Sequence, residues 1–116
     1  MIPRPRPCAL LPALLAGALL LAPDARSAEA DTYRLTIKDH RFAPAALEIP
    51  AGRKVALVVG NLDPTAEEFE SSELHRESVV PGGAEITLYI GPLQPGRYRF
   101  FGDFNRASAR GEIVAK

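Results

Sequence analysis

The sequence predicts an all-β fold, a Greek-key β-sandwich of about seven strands, because three features recur along residues 31–116. Short segments rich in Val, Ile, Tyr and Phe follow one another, and several of them alternate apolar with polar residues. Turns that contain Pro or Gly separate these segments, and no long helical pattern interrupts them. The predicted strands cover residues 33–37, 47–49, 54–59, 73–80, 84–90, 97–101 and 111–115.

Alternation and turn residues define the first three predicted strands. Every second residue of the first strand is apolar and is expected to face inward: Tyr33, Leu35 and Ile37. The second strand is short and ends at Pro50, and the third is a Val-rich apolar run that is typical of a sandwich core. Thr65 then stands three residues before Glu68, which is a helix-start pattern, so a short helical turn is expected near residues 65–72.

The second half of the domain repeats the strand pattern. Pro81 and the two glycines after it end the fourth predicted strand. The fifth strand alternates cleanly and should bury one apolar face: Ala84, Ile86, Leu88 and Ile90. Tyr98 and Phe100 share a face of the sixth strand, and a seventh follows near the C-terminus.

Residues 1–30 are predicted to be a secretory signal peptide whose cleavage leaves one domain, residues 31–116. Two arginines precede an apolar run, and the small residues around Ala28 form a cleavage-site pattern. The run is shorter than the ~20 apolar residues of a spanning helix, and Pro12 interrupts it. We therefore expect periplasmic localisation and no membrane span in the mature form.

Composition excludes several classes of function. The single cysteine, Cys8, lies in the predicted leader, so the mature domain is expected to have no thiol for a disulfide, for catalysis or for a metal. The chain has 14 basic and 14 acidic residues without a clustered basic face, so nucleic-acid binding is not expected. No nucleophile stands at useful spacing from a base, and we expect no enzyme of the ordinary kind.

The order of turn and aromatic residues resembles that of the cupredoxins over nearly the whole of residues 31–116. In the first half the residues that carry the resemblance are Phe42, Pro44, Leu47, Ile49, Gly52, Val55, Asn61 and Asp63. In the second half they are Leu93, Pro95, Gly96, Tyr98, Phe100, Gly111, Ile113 and Val114. The resemblance implies a cupredoxin-like sandwich.

The same resemblance implies where copper ligands would stand. The first histidine position falls at Glu67 or Glu68, the cysteine position at Gly102, the second histidine position near Asn105 and the methionine position near Ala109. Copper sites of this kind use soft thiolate and imidazole ligands. Because none of these residues supplies such a ligand, no type-1 blue copper is expected.

Two segments are similar to a narrower group, the EfeO-type cupredoxin-like proteins found beside bacterial iron permeases. These segments are residues 61–71, with their run of glutamates, and residues 96–104, with their glycines and aromatic residues. In that group an acidic segment takes the place of the copper histidine. The resemblance implies a periplasmic accessory protein of ferrous iron uptake, although some relatives have a histidine where this chain has Asn105.

The candidate metal ligands come from the densest acidic segment and from the loop after the sixth predicted strand. They are Glu67, Glu68, Glu70, His75 and Asp103. Carboxylate oxygens with one imidazole suit iron or copper(II), which are the cofactors we expect. Asp103 would need a cation to stand beside a glutamate, because two ionised carboxylates repel each other.

Two local geometries remain open for the acidic segment. A helical turn would place Glu67 and Glu70 on one face, whereas a strand from residue 73 would align Glu73, His75 and Glu77. The competing interpretation is that these residues form a solvated surface and that Asp103 only forms a turn.

Two functions follow from these observations. The first is a periplasmic accessory protein that binds or passes iron or copper and has a membrane iron permease, or another component of iron uptake, as its partner. The second is a metal-free interaction module that docks on a permease or oxidase. Phe69, Phe101 and Phe104 are expected to cover the end of the sandwich where copper would lie, either as its docking surface or as a plug.

Overall fold

The structure is a computed structural model that describes residues 1–9, 17 and 31–116. Most of the apolar run and the whole cleavage region of the predicted signal peptide lie outside the described residues. Residues 31–116 form nine strands and one 3₁₀ turn. The strands are β1 (Asp31–Lys38), β2 (Arg41–Ala43), β3 (Ala46–Ile49), β4 (Val55–Asn61), β5 (Glu67–Ser71), β6 (Arg76–Val80), β7 (Glu85–Ile90), β8 (Gly96–Gly102) and β9 (Arg110–Ala115), and the 3₁₀ turn is Asp103–Asn105.

The nine strands form two facing sheets, and the predicted all-β Greek-key sandwich is confirmed. One sheet has the order β2-β1-β4-β7 and the other β3-β9-β8-β5-β6. The chain changes sheet five times, after β2, β3, β4, β6 and β7. Only the β1–β4 and β3–β9 pairs are parallel in the described sheets. No helix among the described residues has the length and apolar character needed to cross a membrane.

Alternation places the core as the sequence predicts. Leu35 and Ile37 of β1 are buried, and β4 is buried along almost its whole length. Three aromatic rings pack at the centre: Phe100 lies 4.9 Å from Phe42 in an edge-to-face contact and 5.1 Å from Phe69 between ring centroids. This aromatic cluster lies beside the residues that form the candidate site.

The helical turn predicted near residues 65–72 is wrong. Glu67–Ser71 is a strand that pairs antiparallel with β6 on one side and with β8 on the other. Its burial alternates with period two, so Glu67, Phe69 and Ser71 face inward. Burial of one face between two neighbouring strands outweighs the local helix-start pattern at Thr65.

The strand predicted over residues 73–80 begins later, at Arg76. Residues 72–75 form the turn between β5 and β6, and His75 has a left-handed backbone with φ of 53°. The hydroxyl of Ser71 accepts a 3.1 Å hydrogen bond from the N–H of Leu74, which holds the turn. Glu73 and His75 therefore do not share a strand face with Glu77.

Candidate functional site

Strand β5 carries two different groups of glutamates, because successive residues of a strand face opposite sides. Glu67 faces the interior, whereas Glu68 and Glu70 face outward from the five-stranded sheet. The neighbouring strand β8 ends at Gly102, and Asp103 follows directly in the 3₁₀ turn. The site therefore has an inner half around Glu67 and an outer half around Glu68, Glu70 and Asp103.

The inner half is a buried carboxylate that accepts three hydrogen bonds from protein groups. Glu67 is 1% exposed. Its Oε1 accepts hydrogen bonds from the backbone N–H of Phe104 (2.9 Å) and of Glu68 (3.0 Å). Its Oε2 accepts one from the side-chain amide of Asn105 (2.6 Å). These contacts join β5 to the loop after β8, and we call them the Glu67 tether.

Close packing around Gly102 explains why this position has no side chain. A Cβ atom there would lie 2.5 Å from Cδ of Glu67 and 2.7 Å from Cβ of Ala109. Ala109 is buried, and its carbonyl accepts a 2.8 Å hydrogen bond from the N–H of Gly102. The Glu67 carboxylate thus fills the space into which a side chain at Gly102 would project.

The positions that the resemblance assigns to copper ligands therefore meet in one place, but their chemistry does not fit type-1 copper. They carry Glu67, Gly102, Asn105 and Ala109. None of these supplies a thiolate, an imidazole or a thioether, and the one carboxylate already accepts three hydrogen bonds.

The outer half brings together three of the predicted ligands. One carboxylate oxygen from each of Glu68, Glu70 and Asp103 lies within 4.8 Å of the others. We call this group the acidic triad. Cross-strand pairing adds Glu77 of β6 directly opposite Glu70. All three members are partly exposed, so a cation could reach them from solvent.

The electrostatics of the acidic triad favour either a proton or a cation. The pKa of Glu68 rises from its ordinary value of 4.5 to about 6. Partial burial is the largest cause, followed by a hydrogen bond with Glu77 and by the charges of Glu77, Asp103 and Glu70. A metal ion would remove this repulsion, because it compensates the charges that now oppose ionisation.

Arg106 already neutralises part of the triad. Its guanidinium forms an ion pair with Oδ1 of Asp103, three residues earlier. The same guanidinium lies 4.7 Å from the ring centroid of Phe101 on the outer face of β8. Sequence reasoning missed Arg106, and its position three residues after Asp103 was the available signal.

Glu73 and His75 belong to the turn between β5 and β6, and both lie outside the acidic triad. Glu73 accepts two hydrogen bonds from Arg99, from its backbone N–H (2.8 Å) and from Nε (3.2 Å). These bonds hold the pKa of Glu73 below its ordinary value. His75 lines a shallow cleft with Glu70 and Glu77, but it is not in the group whose ligand atoms lie within 4.8 Å of one another.

Of the three aromatic residues predicted to cover this end, two do not form an exposed docking surface. Phe69 is fully buried in the core, and Phe101 lies half-buried on the outer face of the sheet under Arg106. Phe104 is 53% exposed on the loop that the Glu67 tether holds. Of the three rings, Phe104 is the most exposed.

Comparison with known proteins identifies the family of the chain. The sequence model of the family described as "Cupredoxin-like domain" matches residues 11–115. An uncharacterized protein of Rickettsia prowazekii is 46% identical over 81 residues, which are 70% of this chain and 65% of that protein. The chain thus spans about two thirds of the length of this relative.

Solved copper proteins have a similar fold. The Cu(I)-bound metal-binding domain of the Streptococcus pneumoniae Cu(I)-exporting P-type ATPase CopA is 15% identical, with a TM-score of 0.65, over 73% of this chain and 84% of that one. Auracyanin A, a "blue" copper protein from Chloroflexus aurantiacus, is 12% identical, with a TM-score of 0.65, over 76% of this chain and all of that one. Amicyanin from Paracoccus versutus is 15% identical, with a TM-score of 0.59, over 76% of this chain and 84% of that one. At these identities the likeness shows the fold alone.

Proposed function

The chain belongs to the family of cupredoxin-like domains, and from this membership we propose that it is a periplasmic accessory protein of bacterial ferrous iron uptake. It binds or passes on iron or copper through the acidic triad. It partners a membrane iron permease or another periplasmic component of the same system. One observation carries the proposal: carboxylate oxygens of Glu68, Glu70 and Asp103 lie within 4.8 Å of one another. Asp103 directly follows Gly102, the last residue of β8, where the resemblance places the copper cysteine.

The donor set favours iron or copper(II) over Cu(I). The structural neighbours include a domain with bound Cu(I) and a "blue" copper protein. The triad offers only carboxylate oxygens, which are hard ligands and suit Fe(II), Fe(III) or Cu(II) better than the soft Cu(I) ion. A site that faces solvent on the outside of the sheet also suits a metal that is passed on rather than retained.

The iron-uptake context is supported by sequence. Residues 61–71 and 96–104 resemble the EfeO-type proteins in the two segments that form the site: β5 with the residues before it, and β8 with the loop after it. The predicted signal peptide supports a periplasmic location. Cell fractionation and iron uptake by a deletion strain test these two parts: a cytoplasmic location or unchanged ferrous iron uptake would contradict them.

Metal titration of the purified protein tests the site directly. Metal-free protein is titrated with Fe(II) without oxygen and, separately, with Cu(II), by calorimetry or by competition with a chelating dye. We expect low micromolar affinity or better for at least one metal, and a loss of about tenfold or more in a Glu68→Gln/Glu70→Gln variant, because two of the three ligands lose their charge.

The matched control is Glu85→Gln. Glu85 is an exposed strand residue of the other sheet and pairs with Arg34 at 3.3 Å. Equal affinity in the wild type and in the Glu68/Glu70 variant would overturn the assignment of the triad.

A second function, a metal-free interaction module, is favoured by the Glu67 tether. The tether orders the loop after β8 through protein hydrogen bonds and leaves Phe104 exposed on it. This function predicts no stoichiometric metal in protein isolated from the periplasm without chelators, and loss of binding to a co-expressed permease or oxidase in Phe104→Ala. Stoichiometric iron or copper in that preparation would exclude it.

A further inference from the structure

A second cleft lies on the outer face of the five-stranded sheet and has Phe101 in its lining. It has a volume of about 340 Å³, which is at the small end of the range for ligand pockets. Strands β8 and β9 form its floor, and the turn between β5 and β6 forms one wall. Its lining side chains are Ser72, Glu73, Arg99, Phe101, Arg106 and Arg110.

The charge of this cleft is opposite to that of the triad. Three guanidinium groups line it, and Glu73 is the only acidic residue in its lining. Arg99 pairs with Glu73 and Arg106 with Asp103. Arg110 has no carboxylate within ion-pair distance among residues 31–116, so the cleft keeps one uncompensated positive charge.

The position of Arg110 is set by the fold. It stands directly opposite Phe101 in the β8–β9 pair, and its Nε donates a 2.7 Å hydrogen bond to the carbonyl of Arg106. This bond uses one of the five N–H donors of the guanidinium and holds the group at the cleft. The remaining donors can form the paired hydrogen bonds that guanidinium makes with carboxylate or phosphate.

We propose that this cleft binds a small oxyanion, a carboxylate- or phosphate-bearing molecule. Arg110 makes the main ionic contact, Arg99 contributes a second donor group, and the half-buried ring of Phe101 provides an apolar floor. The cleft adjoins the acidic triad through the ion pair of Arg106 with Asp103, and the proposal does not require the protein to bind a metal.

Titration of the purified protein, after chelator treatment and at constant ionic strength in chloride, tests the proposal by amide chemical shifts. The probes are succinate and inorganic phosphate in separate titrations, so that the tighter one identifies the chemical class. We expect saturable shifts of the amides of residues 72–73, 99–101 and 110–111. Arg110→Gln should weaken binding about tenfold or more, because hydrogen bonds to a charged group are lost.

The matched control is Arg34→Gln, an exposed arginine on the other sheet, which should leave the affinity unchanged. The amide spectrum of each variant verifies that the fold is intact, and Arg99→Gln serves as a second variant of the cleft. Shifts that do not saturate with either probe would overturn the proposal, as would equal binding by the wild type and both cleft variants. Since no metal is present in this experiment, its outcome is independent of metal binding by the triad.

Discussion

The side-chain amide of Asn105 donates a 2.6 Å hydrogen bond to Oε2 of Glu67, at the place where the resemblance to cupredoxins puts the copper ligands. Glu67 belongs to β5 and Asn105 to the 3₁₀ turn after β8, so the bond joins two elements 38 residues apart in sequence. In this chain a buried carboxylate therefore connects β5 to the loop after β8. A metal ion would make the same connection in a protein whose two elements both supply its ligands. Hydrogen bonds to Glu67 from Phe104 and Asn105 hold the loop.

The first prediction concerns the stability that the Glu67 tether provides. Asn105→Ala and Glu67→Ala should each lower the free energy of unfolding by about 2 kcal/mol, because each leaves a buried polar group without its partner. In Glu67→Ala, the backbone N–H groups of Phe104 and Glu68 lose their acceptor. Urea unfolding measures the effect.

The control for this prediction is Glu85→Gln, a change at an exposed strand position, which should alter stability by less than about 0.5 kcal/mol. Unchanged urea midpoints for both tether variants would contradict the role of Glu67.

The second prediction concerns the close packing at Gly102. Gly102→Ala should destabilise the protein by about 1–3 kcal/mol, because its Cβ would overlap the Glu67 carboxyl and the Ala109 methyl. The cost should be smaller in a Glu67→Ala background, and a double-mutant cycle measures this coupling. Gly60→Ala is the matched control, since a Cβ there would meet nothing closer than 4.0 Å. Equal costs in both backgrounds would show that Glu67 does not fill this space.

The sequence predicted some strands correctly and missed others. Period-two alternation predicted β1 and β7 correctly, because burial of one face governs such strands. It missed β2 (Arg41–Ala43), which has three residues and is too short to show a period. It also predicted a helical turn for residues 65–72 from a local helix-start pattern, although β5 pairs with β8, which is distant in sequence.

For the candidate site, the sequence indicated candidate residues but few of their contacts. The family resemblance identified Glu67, Glu68 and Asp103 as candidates, but only the strand assignment of β5 separates the buried Glu67 from the outward Glu68. The ion pair of Arg106 with Asp103 was accessible to spacing. The convergence of the triad depends on the register between β5 and β8, which a single sequence does not specify.

The third prediction concerns the pH dependence of stability in the metal-free protein. Since the pKa of Glu68 is raised in the fold from 4.5 to about 6, the folded state binds this proton more tightly than the unfolded state. The contribution of Glu68 to stability is therefore fully present below about pH 4.5 and is lost as the pH rises through about 6. Glu68→Gln should flatten the free energy of unfolding over this interval and stabilise the protein at pH 7.

Urea unfolding with chelator at pH 4.5, 5.5 and 7 measures this effect. Asp63 and Glu73, whose pKa values are lowered by hydrogen bonds from backbone N–H groups, act in the opposite direction, and their contributions are lost as the pH falls below the ordinary carboxyl range. A wild type and a Glu68→Gln variant with parallel pH profiles would contradict the raised pKa.

The fourth prediction separates the structural role of His75 from metal binding. His75 occupies a left-handed backbone conformation, which asparagine adopts more readily. His75→Asn should therefore raise the free energy of unfolding by no more than about 0.5 kcal/mol. Because His75 lies outside the acidic triad, the affinity for Fe(II) or Cu(II) should stay unchanged. A loss of tenfold or more in affinity would instead make His75 a ligand.

The fifth prediction concerns Arg106 and rests on the proposed metal site. Its guanidinium neutralises Asp103, so a metal that binds the triad competes with an existing ion pair. Arg106→Gln removes the competing charge and should raise the affinity for Cu(II) severalfold, with the larger gain at low ionic strength because the pair is partly exposed.

Arg97→Gln is the matched control: Arg97 is an exposed arginine of β8 that pairs with Glu112 instead of a triad residue. Titrations of the metal-free variants at two salt concentrations measure the effect. An affinity that falls in Arg106→Gln would mean that Arg106 orients Asp103 for the metal rather than competing with it.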